Sequence, residues 1–136
     1  MLSLSIREVA AMMLGMVVSD PDTRLGFVAS SRESARLTGF AVAELLKSKG
    51  VVWHPAYQEV RWPSGAKAVF VSVKEPDRMR GYRWAGAFMS AAAAELADEY
   101  ARHVVDSNAR PPGTVVSGCA EVASRDALSE LQREAA

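Results

Sequence analysis

The chain has 136 residues, 49% hydrophobic and 24% charged, which suits one domain with a real core and excludes a disordered chain. Lys plus Arg number 16 and Asp plus Glu number 16, which excludes a protein that coats nucleic acid through bulk charge, although a local basic patch stays open. One cysteine, Cys119, and two distant histidines, His54 and His103, exclude an intrachain disulfide and argue against a zinc cluster.

The N-terminal stretch is interrupted by Arg7 and Glu8, so it does not read as a signal peptide. No apolar run is long enough to span a bilayer. A reducing, cytoplasmic setting is therefore expected. Residues 4–18 carry Ile6, Val9, Ala10, Met13, Met16 and Val17 at helical spacing. "SDPDT" at 19–23 is a stop and a turn. "RLGFVAS" at 24–30 reads as a buried strand. Ser30 and Glu33 have the spacing of a capping box, which starts a helix running to about Lys47 and closing at Gly50. "AYQEVRW" and "AKAVFVSV" flank Pro63-Ser64-Gly65 as a β-hairpin.

"WAGAFMS" at 84–90 is a second buried strand, followed by an alanine-rich helix from 91. "NARPPG" is a loop and "TVVSGCA" at 114–120 a third buried strand. Ser124 is placed to cap a final helix to about Arg133. Single apolar strands alternating with helices predict an α/β domain spanning residues 1–136, with a mostly parallel sheet flanked by helices and a β-hairpin.

The stretch "RWPSGAKAVFVSVKEPDRMRG", residues 61–81, resembles the ATPase domain of phage terminase large subunits, the motors that package viral DNA. The shared pattern is a Trp-Pro-x-Gly turn, a strand ending near Ser, and then Glu-Pro-Asp-Arg-hydrophobic-Arg-Gly. Trp62, Pro63, Gly65, Ser72, Glu75, Pro76, Asp77, Arg78, Arg80 and Gly81 fit it. The resemblance extends more weakly over residues 24–122 and implies a P-loop NTPase core. In that core the P-loop strand is central. Beside it lies the strand resembling 114–120, then the one resembling 84–90, then the one resembling 24–30.

Three departures accompany the resemblance. No glycine opens a G-x-x-x-x-G-K-[ST] string, so the backbone cradle and lysine that hold phosphates are not found. Residues 4–18 look like the helix that normally follows that loop. Where the family places Asp-Glu to hold Mg²⁺ and activate water, this chain has Ser90-Ala91. Asp98-Glu99 is expected too deep in the next helix to substitute. "SGCA" at 117–120 stands where the family is Thr-rich. The resemblance therefore implies a relative without catalysis, with no catalytic, cofactor or metal residues.

Glu75, Asp77, Arg78, Arg80 and Arg83 are candidates for loop ordering or interaction. The arginines either meet DNA phosphate or a neighbouring subunit's nucleotide, or pair locally with Glu75 and Asp77. The local pairing is favoured. Trp62 and Trp84 are expected in the core, Cys119 buried and inert, and Ser90 without a His partner. A P-loop strand missing from the sheet would leave 114–120 as an edge, so Thr114, Val115 and Val116 with Met12, Met13 and Met16 are interface candidates for self-association. The expected role is a non-enzymatic component or regulator of phage DNA packaging in a bacterial host, binding a terminase protein or itself. A piece of a split terminase and a nucleic-acid adaptor using Arg61, Arg78, Arg80 and Arg83 are the alternatives.

Overall fold

The computed structural model describes residues 3–110 and 115–135. Helix α1 (Ile6–Ser19) starts at a capping box that follows from the sequence "SIRE". Ser5 Oγ accepts the Glu8 amide at 3.1 Å, and Glu8 accepts the Ser5 amide at 3.0 Å. Its inner stripe is Ile6, Val9, Ala10, Met13 and Val17.

Strand β1 (Arg24–Ala29) follows and is buried at every position after Arg24, as a strand covered on both faces must be. Helix α2 (Arg32–Leu45) is capped by Ser31, whose Oγ accepts the Ser34 amide. The expected Ser30–Glu33 box does not form, because Ser30 is engaged elsewhere. A short 3-10 turn at Lys47–Lys49 ends at Gly50 in the left-handed region, φ 76°.

Three strands then form a meander: β2 (Val52–His54), β3 (Glu59–Arg61) and β4 (Lys67–Ser72). The expected hairpin is β3–β4. The sequence reading missed β2, whose three residues show no periodicity long enough to recognise. After β4 come the single turn α3 (Pro76–Met79) and β5 (Gly86–Ser90).

The helix expected from residue 91 is in fact two, α4 (Ala91–Leu96) and α5 (Glu99–Asn108). Asp98 Oδ1 accepts the Ala101 amide at 2.8 Å and so begins a new helix. Asp98-Glu99 therefore stands at a helix start, not two turns into a continuous one. Strand β6 (Val115–Cys119) and helix α6 (Arg125–Ala135) complete the chain. Ser124 caps α6 as expected.

The sheet order is β2-β3-β4-β1-β5-β6. β1 pairs parallel with β4 and β5, and β5 parallel with β6. β3 pairs antiparallel with β2 and β4. The fold is thus α/β with a mixed, mostly parallel sheet, and the expected neighbour order of the three apolar strands, 115–119 beside 86–90 beside 24–29, is the one observed.

Phe27, Phe70 and Phe88 pack with α1, α2 and α6 on one face, while Val28, Ala87 and Met89 pack with α3, α4 and α5 on the other. Two glycines mark close approaches. A Cβ on Gly26 would lie 2.3 Å from the Trp84 ring, and one on Gly39, inside α2, 2.3 Å from Trp53. The ring contact explains a residue that otherwise costs a helix about 1 kcal/mol. Trp62 and Trp84 are core residues, as expected.

Candidate functional site

In open α/β sheets ligands sit at the carboxyl ends of strands, where successive connections leave in opposite directions. Here that point lies between β1 and β5. From β1 the chain crosses through α2 to the meander on one side. From β5 it crosses through α4 and α5 to β6 on the other. Ser30 directly follows β1 and Ser90 ends β5.

The crevice is filled by Glu121, which follows β6. Its carboxylate accepts the Ser30 amide at 2.9 Å and also the hydroxyls of both Ser30 and Ser90. Desolvation would push the Glu121 carboxyl up. The hydrogen bonds from Ser30, Ser90 and Ser34 outweigh it and hold the group below the ordinary glutamate value. Ser90 is fully buried, and its Oγ also accepts the Ala93 amide at 3.0 Å to cap α4. It is committed to structure on both sides, so it is no free nucleophile. One residue further, the Val122 amide donates to Thr38 Oγ1 at 2.9 Å, fixing the segment onto α2.

Glu121 was missed by sequence reasoning. The available signal was a polar residue at the carboxyl end of each of three apolar strands: Ser30, Ser90 and Glu121. No fixed sequence spacing links them, because they are brought together by strand order.

The start of α1 is likewise filled from within. Leu4 bridges Cys119 in parallel, through Leu4 N–H to Gly118 O and Ala120 N–H to Leu4 O at 2.7 Å. Only Ser5 separates this bridge from the helix. The helix N-terminus, an anion seat in nucleotide-binding folds, carries the Glu8 side chain in its capping box.

The Glu75–Gly81 loop is ordered in part as expected. Arg78 pairs with Glu75 at 3.0 Å. Asp77 is bound by a tyrosine instead of an arginine: Tyr100 Oη donates to Asp77 Oδ1 at 2.7 Å. This bond is the main cause that raises the Tyr100 hydroxyl above its ordinary value. The firmest tie is one the sequence did not suggest, the buried Asn108 Nδ2 donating to Met79 O at 2.6 Å. Gly81 turns the chain out with φ 90°. Among the described residues neither Arg80 nor Arg83 has an ion-pair partner, so the expected four-membered pairing reduces to one ion pair and one tyrosine bond.

The interface candidates divide. Met13 is fully buried in the core, which corrects its placement at an interface, and Met12 is exposed. Met16 is half-buried and covers Gly86, where its Cε occupies the space of a Cβ. Helical spacing already put Met13 on the apolar stripe and Met12 off it, and the structure follows that spacing. Val115 and Val116 are half-buried on the last strand of the sheet, and Thr114 lies outside the described residues. Cys119 is buried, and desolvation pushes its thiol up to about 11, which leaves it unreactive near neutrality. Among the described residues no group of His, Cys, Asp and Glu is arranged to hold a metal, and no helix is long and apolar enough to cross a membrane. Comparison with protein-family models, with curated proteins and with solved structures found no match for this chain.

Proposed function

We propose that this protein is a non-catalytic relative of the terminase ATPase domain that acts in phage DNA packaging by binding a partner protein, a terminase subunit or a second copy of itself, in the bacterial cytoplasm. The observation that carries this reading is the filled strand-end crevice. Glu121 occupies the point where a nucleotide-binding sheet would receive its ligand, and Ser90-Ala91 stands where the resemblance implies the Asp-Glu pair. The strand order β1-β5-β6 supports the same reading, being the order the resemblance implies. So does the direct passage from Leu4 through Ser5 into α1, which leaves no length for a glycine loop around a phosphate. A fold kept without its chemistry keeps surfaces, and surfaces bind partners.

The experiment has two arms. Calorimetry with ATP and Mg²⁺ is expected to give a flat trace, and the protein used as bait is expected to retain a packaging protein from phage-infected cells. A micromolar dissociation constant for ATP would overturn the non-catalytic reading. It would favour the alternative of a split terminase piece, against which Ser90-Ala91 counts, because splitting a chain does not erase carboxylates.

A further inference from the structure

The face of the sheet that bears α3, α4 and α5 is left open over β4. Two concavities of about 250 and 420 Å³ lie along it and meet at Val69 and Tyr82. Together they form a groove along Lys67, Val69 and Val71, of which Val69 is buried and the other two half-buried. From Lys67 to Ser72 it runs about 16 Å, at about 3.3 Å per strand residue.

Its charge differs from that of the whole chain. Arg24, Lys67 and Arg83 line one end, and Arg32 and Arg78 the other. The two lining carboxylates are already paired, Glu59 with Arg61 at 2.9 Å and Glu75 with Arg78 at 3.0 Å, so Arg32 is the basic group that remains unbalanced at the Arg78 end. A chain of zero net charge therefore concentrates positive charge in one groove.

Aromatic rings are distributed in the same way. The chain has three tyrosines, and all are exposed, Tyr57 at 65%, Tyr82 at 41% and Tyr100 at 43%, while Phe27, Phe70, Phe88, Trp62 and Trp84 are buried. Tyr57 and Tyr82 line the groove. Tyr82 is backed by Trp84, with ring centroids 5.9 Å apart and planes at 22°, so its outer face is held in a fixed orientation. Tyr57 is braced by the Arg61 guanidinium 5.2 Å from its ring centre.

We infer that this groove binds a short stretch of single-stranded nucleic acid, with bases stacked on Tyr82 and Tyr57 and phosphates met by the basic groups at its two ends. Two preset ring faces between basic ends fit a chain that alternates planar bases with anions. An acidic peptide would satisfy the charge and leave the rings without planar partners. The inference does not rest on the terminase reading, and ATP binding or failed capture of a packaging protein would leave it standing.

The test is fluorescence anisotropy with a labelled oligothymidylate of about 12 nucleotides, within the span such sites cover, titrated with the intact protein at several salt concentrations. Saturable binding that weakens with salt is expected. Tyr82→Ala and Tyr57→Ala are each expected to weaken it about tenfold, the worth of one base–aromatic stack, while Tyr82→Phe retains it. Arg83→Ala is expected to lower the slope of log affinity against log salt by about 0.7. Thermal unfolding of each variant separates lost stacking from lost fold, and Tyr57→Ala carries the test if Tyr82→Ala unfolds. Absence of binding at low salt, equal affinity for the matching duplex, unchanged affinity in folded tyrosine variants, or displacement by polyglutamate at equal charge overturns the inference.

Discussion

Replacing Glu121 tests whether its carboxylate ties three strand ends together. Glu121→Ala removes an ionised acceptor from the Ser30 amide and from the hydroxyls of Ser30 and Ser90. A hydrogen bond to a charged group contributes about 1.5–3 kcal/mol. Glu121 and Ser30 are only partly buried, so the low end applies to them. Ser90 is fully buried and would lose its acceptor. The expected loss is about 3 kcal/mol, a fall in urea midpoint of about 1.5 M at a slope of about 2 kcal/mol/M.

Glu121→Gln keeps the shape and one acceptor oxygen and loses the charge, so about 1–2 kcal/mol is expected. The pH dependence gives a second, independent reading. Because the folded state holds Glu121 below its ordinary value of 4.5, the unfolded chain takes up the proton first as pH falls. The stabilisation is fully present above that value and disappears as pH drops through the folded pKa. The gap between wild type and Glu121→Gln must therefore narrow below about pH 5. A gap that stays constant with pH, or a glutamine variant as stable as wild type at neutral pH, would refute the reasoning.

Gly26→Ala places a methyl 2.3 Å from the buried Trp84 ring and is expected to cost about 1–3 kcal/mol by overpacking, with a changed near-ultraviolet dichroism of that tryptophan. Arg78→Ala breaks an ion pair whose partners are 58% and 32% exposed and is expected to cost at most about 0.5 kcal/mol. Asn108→Ala removes the buried tie to Met79 O and is expected to cost about 1–2 kcal/mol. Denaturant titration of the two variants checks that order. The outer edge of β6 is bridged only near Cys119, by Leu4, among the described residues. Val115 and Val116 are thus expected to support self-association, and sedimentation showing a monomer at tens of micromolar would count against it.

Much of the architecture was legible because the apolar runs are unambiguous. "LGFVA" and "GAFMS" are apolar segments between helical patterns, as parallel central strands require, whereas "VVSGC", interrupted by Ser117 and Gly118, forms a mostly half-buried edge strand instead of the third buried strand expected. Local chemistry was less legible where two serines compete for one role. Ser30 and Ser31 both precede α2, and only the fold decides that Ser31 caps the helix while Ser30 faces Glu121. The break at Asp98 was hidden by the alanine-rich helix propensity of residues 91–97 running into a further helical pattern. A propensity sum does not register that an aspartate can end one helix and cap the next. The loop at Glu75 presented four charges, and sequence alone favoured pairing among them. Tyr100, on a helix more than twenty residues away, took Asp77 instead.

The placement of polar groups separates two parts of the fold with opposite character. At the carboxyl ends of β1, β5 and β6 the Ser30 amide and the hydroxyls of Ser30 and Ser90 are consumed internally. Ser30 and Ser90 are bound to Glu121, Ser90 also caps α4, and Thr38 holds Val122. A ligand entering there would have to displace an ionised carboxylate from buried donors, at a cost comparable to the stability that carboxylate supplies. Over β4 the reverse holds. The lining acids are neutralised by their own arginines, basic groups remain at both ends, and two tyrosines present exposed faces. A binding partner gains most where donors and ring faces are unspent, which moves the expected site of interaction from the strand ends to the open face of β4.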